Sequence, residues 1–258
     1  MSNWNPWHGC HKISAGCKNC YVYRQDSVFG KVSSEVNKNS DFDLPLKLDK
    51  HHNYKLKNGK DNYVPTCMTS DFFLEEADKW RNDAWKMIKQ RQDLNFFIIT
   101  KRIDRFLKCI PNDWEKGYRN VIVACTVENQ EMADYRLPIY LNLPMEKKII
   151  VCSPLIEKIN LRKYLDSSII NVGVGGESGK HARICDYEWV LDIRNQCLDC
   201  NIDFCFNQTG SYLKKDNKIY HIPRNLQITQ AKKAGIDILN HYPIFKNTEG
   251  EFEKIKWF

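Results

Sequence analysis

Apolar residues in this chain follow two alternating patterns: short unbroken runs, and longer stretches in which they recur every three or four positions. Residues 66–73 begin as a strand and end in a polar turn. Residues 74–91 then predict a helix, with Ala77, Trp80, Ala84, Met87 and Ile88 on one face and Lys, Arg and Asp on the other. The unit repeats. A strand over 95–100 precedes a short helix over 103–109 that Pro111 ends, and a strand over 120–126 precedes a helix over 130–141. Strands follow over 148–152, closed by Ser153-Pro154, and over 169–174, which runs into Gly175-Gly176-Glu177-Ser178-Gly179. Asp186 suits the N-cap of a helix with Val190, Ile193 and Cys197 on one side. The last clear strand, 202–206, ends in Asn207-Gln208, and a short strand over 3–6 would open the series.

Unbroken apolar runs imply strands buried on both faces, and their alternation with helices gives a parallel sheet. The predicted fold class is α/β, a complete or partial (β/α) barrel of parallel strands rather than a doubly wound sheet. Residues 1–258 read as a single barrel domain. A polar, Lys- and Asn-rich insertion occupies about 24–62 with an apolar patch at 42–48. A charged, irregular C-terminal cap spans about 211–258 with a helix at 229–234.

In such barrels functional groups sit after the carboxyl ends of the strands. Here those ends carry Thr69-Ser70-Asp71, Thr100-Lys101-Arg102, Thr126 with Glu128-Asn129, Ser153, Gly175-Gly176-Glu177 and Asn207-Gln208. All would converge on one mouth. Each also has a plainer reading: Asp71 or Ser70 as a helix cap, Lys101 and Arg102 as solvated cations, Glu128 as a helix-start acid, the glycines as a tight turn, and Asn207-Gln208 as partners for backbone groups.

Composition narrows the setting. No run approaches the ~18 apolar residues of a membrane span, and the opening Met-Ser-Asn-Trp-Asn-Pro lacks a basic start and an apolar stretch, so a cytoplasmic location is expected. Eleven cysteines in a reducing compartment predict no disulfides. The net charge of +7 suits solubility or a polyanionic or phosphorylated partner.

The sharpest chemical signal is Cys10, Cys17 and Cys20 on one Gly-rich polar stretch, followed by the aromatic Tyr21. Three thiolates suit a 4Fe-4S cluster with one iron left open for an amine and a carboxylate. Closed zinc coordination completed by His8 or His11 is the alternative, and three inert core cysteines a third. Cys197, Cys200 and Cys205 form a second set, but a helix and a buried strand do not easily present three thiols to one metal. Cys67, Cys125 and Cys152 read as small core residues.

The pieces Trp4-Asn5-Pro6, Gly9-Cys10, Ser14-x-Gly16-Cys17-x-x-Cys20-Tyr21, Ser70-Asp71-Phe72, Thr100-Lys101-Arg102, Val127-Glu128-Asn129, Gly175-Gly176-Glu177-Ser178-Gly179 and Phe206-Asn207-Gln208 resemble, in order, a three-cysteine family. It is a domain of unknown function common in phages and bacteria that looks like a branch of the radical S-adenosylmethionine (SAM) superfamily, with a partial barrel. The superfamily's usual spacing is Cys-x3-Cys-x2-Cys-aromatic. The first gap here is six, whereas the second gap and Tyr21 follow the pattern. Usual members carry Lys where Asn207 stands and lack Cys200 and Cys205.

The resemblance implies an enzyme that uses a 4Fe-4S cluster and SAM to generate a 5′-deoxyadenosyl radical, which takes hydrogen from a small-molecule or nucleotide-type substrate. An electron donor such as a ferredoxin or flavodoxin would serve it. By that resemblance Cys10, Cys17 and Cys20 ligate iron, Tyr21 packs near the adenine, and Asp71, Lys101, Arg102 and Asn129 contact SAM or its surroundings. Glu128, Glu177 and Gln208 face the substrate as catalytic groups. Two rival readings are a nucleic-acid-binding protein with a structural iron–sulfur or zinc site, and a barrel hydrolase that pairs Glu128 with Glu177 as acid and base.

Overall fold

The computed structural model describes residues 2–60 and 62–240. Its centre is a six-stranded sheet: β1 (Val64–Thr66), β2 (Phe96–Thr100), β3 (Val121–Thr126), β4 (Lys148–Cys152), β5 (Ile169–Gly175) and β6 (Asp203–Gln208). The strands lie side by side in chain order and every pairing is parallel. This is an α/β fold whose sheet curls into a half-barrel. The helices are α1 (Tyr21–Val28), α2 (Asp78–Gln90), α3 (Phe106–Cys109), α4 (Gln130–Leu141), α5 (Tyr187–Asp199) and α6 (Gln227–Lys233). Between β4 and β5 the connection holds only the single 3-10 turn Arg162–Tyr164.

Side chains alternate across each strand, and both faces are apolar, which accounts for the unbroken runs. On the convex side Ile98, Val123, Ile150, Val172 and Phe204 join the large core under the helices. On the concave side Phe97, Ile122, Ala124, Ile149 and Val151 form a separate apolar cluster. Tyr140 of α4 fastens the outer layer to the sheet. Its buried hydroxyl donates to the Val123 carbonyl at 2.6 Å and accepts the Ile149 N–H at 2.9 Å.

Several details depart from the sequence reading. The strand expected to begin at 66 is already ending there. β1 lies earlier, and Cys67, with a left-handed φ of 62°, turns the chain out of it. Pro65 hid this strand, since proline argues against a sheet interior. Its other neighbour is only a one-residue parallel bridge from Trp4 to Thr66, the remnant of the strand expected at 3–6. The chain then turns away so that Trp7–His8 pairs antiparallel with Asn37–Lys38. Within the proposed insertion, Phe42, Leu44 and Leu56 are buried in the main core.

The stretch after 211, expected to be irregular, forms a hairpin of Tyr212–Lys215 with Lys218–His221. Asp216 and Asn217 close it, both at positive φ, as a tight right-twisted turn requires. An antiparallel bridge from Phe204 to Ile238 covers the β6 edge. The cap beyond residue 240 lies outside the described residues. Among the described residues no helix is long and apolar enough to cross a membrane.

Replacing Tyr140 with Phe leaves the Ile149 N–H without its buried acceptor. A loss of about 1–3 kcal/mol is expected in urea denaturation, with an unchanged far-UV dichroism spectrum.

Candidate functional site

The cysteine loop crosses the carboxyl-terminal mouth of the sheet and is tied down along its whole length. Gly9 starts it at φ 94°, so close to the 33–35 segment that a Cβ would lie 2.3 Å from the Glu35 carbonyl oxygen. The Cys10 N–H donates to the Ser33 carbonyl at 2.7 Å, and the Tyr23 hydroxyl donates to the Cys10 carbonyl. Cys10, Cys17 and Cys20 are free and half-buried, whereas Cys67, Cys109, Cys125, Cys152, Cys185, Cys197 and Cys205 are buried. All three loop sulfurs lie within electrostatic reach of the Tyr23 phenol. Burial raises the Tyr23 pKa, and negative charge on Cys10, Cys20 and Cys17 raises it further. Burial also pushes the Cys10 thiol up to about 11, against the opposing pull of Arg102.

The two histidines beside the loop are occupied. His8 Nε2 lies 2.9 Å from Asp26 Oδ1, and His11 pairs with Glu76. Burial raises the Asp26 pKa, but hydrogen bonds from Ser33 and His8 outweigh it and hold the carboxyl below its usual value. Among the described residues no group of three or more His, Cys, Asp or Glu is placed to hold a single metal ion.

Three acid–arginine pairs from different strand ends meet the loop. After β1, Asp71 accepts the Thr100 hydroxyl at 2.7 Å and the Lys101 N–H at 3.0 Å, and it pairs with Arg102 at 3.5 Å. Arg102 in turn donates to Cys10 Sγ at 3.5 Å and to the His11 carbonyl at 2.9 Å. After β3, Glu128 is fully buried. One carboxylate oxygen accepts the Gly16 N–H at 3.1 Å and the other accepts from Arg136 at 2.8 Å. A Cβ on Gly16 would fall 2.8 Å from the Glu128 carboxyl carbon, so only glycine lets the loop lie this close. Burial pushes the Glu128 pKa up, yet Arg136, Lys101, Ser14 and the Gly16 N–H together bring it below the ordinary value.

After β5, Glu177 takes a two-pronged contact from Arg183, at 2.6 Å and 3.0 Å, and accepts the Asn19 amide at 2.9 Å. Asn19 also donates to the His181 carbonyl at 2.7 Å. Burial again raises the Glu177 carboxyl, and Arg183 and Asn19 overcome it to leave the pKa lowered. Asp71, Glu128 and Glu177 thus have their carboxylate oxygens filled by protein donors. They hold the thiol loop in place.

The remaining predicted residues divide. Asn129 caps α4, its side chain accepting the Met132 N–H at 3.0 Å. Gln208 donates to the Gly176 carbonyl at 2.7 Å and lies 3.5 Å from Arg224, which also donates to Ser178 at 2.6 Å. Tyr21, 39% exposed at the start of α1, donates to the Met68 carbonyl and lies within electrostatic reach of Cys20 and Arg224. The half-buried Lys101 ammonium makes no hydrogen bond or ion pair among the described residues. Close by, the buried Thr126 hydroxyl and Arg136 Nε also lack partners. Asn19, Arg136 and Arg183 escaped the sequence reading. Only an arginine eight residues after Glu128, at helical distance inside α4, hinted at one of them.

A model of the family described as protein of unknown function (DUF5131) matches residues 1–243, so the chain belongs to that family. No curated protein and no solved structure matches it.

Glu128→Gln leaves Arg136 buried without its counter-charge. An expected loss of about 3–5 kcal/mol is checked by urea denaturation, together with faster maleimide labelling of Cys17. Acid should act alike. Both glutamates titrate lower when folded than the ~4.3 of a free side chain. Each therefore stabilises the fold above that pH, and the contribution is lost as pH falls through the folded value. Thermal midpoints recorded from about pH 6 down to about pH 3 should drop more steeply for the wild type than for Glu128→Gln.

Proposed function

We propose that this member of the family is an iron–sulfur enzyme of the radical SAM type, with Cys10, Cys17 and Cys20 holding a 4Fe-4S cluster and SAM binding in the mouth beside it. The observation that carries this reading is the convergence of four strand ends on one loop bearing three free, half-buried thiols. A lone ion needs ligands that meet at one point, within ~2.3 Å for sulfur. An iron–sulfur cube is instead gripped by thiolates spaced around it, and three free thiols on one loop, all within electrostatic reach of Tyr23 but not gathered at one point for a single ion, are compatible with that mode. The Arg102 N–H on Cys10 Sγ would offset the negative charge of a thiolate-bound cluster.

When bound, the cluster would supply the electron that cleaves the sulfonium bond of SAM. The chain's own residues bind, orient and exclude water. Lys101, whose ammonium makes no hydrogen bond or ion pair among the described residues although it lies within electrostatic reach of Glu128, would take the SAM carboxylate, and the partly exposed Tyr21 follows the last cysteine. Arg102 carries charge to the cluster side of the mouth. Asp71, Glu128 and Glu177 are positioning residues that keep the loop seated. Asn129 and Gln208 shape the ends of β3 and β6.

Anaerobic reconstitution with iron and sulfide tests the reading. The expected result is about four irons per chain and release of 5′-deoxyadenosine from SAM under a strong reductant. Cys17→Ala should lose both while keeping the wild-type dichroism spectrum. Zinc in the purified protein with no SAM cleavage would overturn the proposal, as would normal cleavage by the Cys17→Ala chain.

A further inference from the structure

The concave face of the half-barrel is chemically lopsided. On β2 to β4 it presents Phe97, Ile122, Ile149 and Val151, but on β5 and β6 the corresponding inward positions are Asn171, Gly173 and Asn207. Packed barrel interiors favour bulky branched side chains at such positions. Here they leave a cavity of about 170 Å³ between the apolar wall and the two amides.

The amides are not equivalent. Asn171 donates its Nδ2 to Cys205 Sγ at 3.4 Å, which turns its carbonyl oxygen toward the space that Gly173 leaves open. The Asn207 amide makes no hydrogen bond among the described residues. A Cβ on Gly173 would lie 2.8 Å from Asn207 Nδ2, so the glycine gives that amide its room. Across the cavity Tyr63 and Phe97 pack with ring centroids 5.2 Å apart. Toward the mouth, two residues beyond inward-facing positions of β2 and β3, stand Lys101 with no ion pair and Thr126 with a buried, unpartnered hydroxyl.

We propose that this cavity binds a single pyrimidine ring, presented as a nucleotide. Its volume matches one six-membered ring, since a cavity of ~150 Å³ accepts benzene while drug-sized ligands need ~300 Å³ or more. A purine's second ring would extend beyond this volume into the open end. A plain hydrocarbon ring would leave the amides unmet, whereas a pyrimidine edge offers one donor and one acceptor to the Asn207 side chain. Aromatic and branched walls take the ring faces. Lys101 stands two residues beyond the cavity-lining Ile99, past the carboxyl end of β2, and a phosphate attached to the sugar suits its charge. The role of the pyrimidine as substrate rests on the enzyme reading above; the binding itself needs no cluster.

Titration calorimetry of the full, cluster-free chain tests this with uridine 5′-monophosphate, adenosine 5′-monophosphate and a short oligothymidylate. A pyrimidine probe should bind about tenfold or more tightly than the adenine one, and Asn207→Leu should weaken it about tenfold or more with an unchanged melting temperature. If Asn207→Leu does not fold, Val151→Met, which narrows the opposite wall, should give the same loss. Tighter binding of the oligomer identifies a base within nucleic acid, and tighter binding of uridine monophosphate a free nucleotide. Equal affinity for the two monophosphates, no binding of any probe, or undiminished affinity in the narrowed variant overturns the proposal. Iron uptake is measured apart, so a chain that binds pyrimidines without taking up iron refutes the enzyme reading and leaves the ring site standing.

Discussion

Buried charge at the open end of the sheet governs the arrangement of this molecule. A carboxylate taken out of water must be paired and hydrogen-bonded or the fold loses several kcal/mol. Asp71, Glu128 and Glu177 meet that condition through Arg102, Arg136 and Arg183. In each pair a donor or acceptor is left for the cysteine loop: the Arg102 guanidinium for Cys10 and His11, and the two glutamates for Gly16 and Asn19. The loop has little apolar surface of its own with which to adhere. Its position follows from how the strand ends satisfy their charges.

Much of the frame was legible in the chain. The runs around residues 96, 122, 149 and 170 announced buried strands because apolar clusters pack on both sides of the sheet, and the polar residues that follow them lie past the carboxyl ends of parallel strands. What pattern reading missed depends on remote partners. β1 is short and contains Pro65, so its pairing was invisible locally. The hairpin after 211 has exposed, charged strands with little alternation to betray them. For Glu128 and Glu177 the sequence shows the carboxylates without showing the donors that fill their oxygens. Arg183, six residues past Glu177 in a loop, offered no periodic cue.

The concave face adds a second lesson about composition. Asn171, Gly173 and Asn207 sit inside strands whose neighbours are apolar, and each would cost stability in an ordinary packed interior. Their placement on two adjacent strands, opposite an unbroken apolar wall, leaves open space where branched side chains would otherwise interdigitate. The convex face bears the packing load, with Phe204 and Phe206 of the same β6 strand fully buried among the helices.

The wiring of the cysteine loop also sets the order in which the molecule can be completed. The loop is made early in synthesis, yet its contacts reach 112, 158 and 162 residues downstream, to Glu128, Glu177 and His181. Arg24, just beyond it, lies so tightly over Gly179 that a Cβ there would overlap the guanidinium. Contacts of such long range close late. Until those downstream residues are in place, the loop lacks the partners that seat its three thiols. The seat of the loop is built from residues made well after the loop itself.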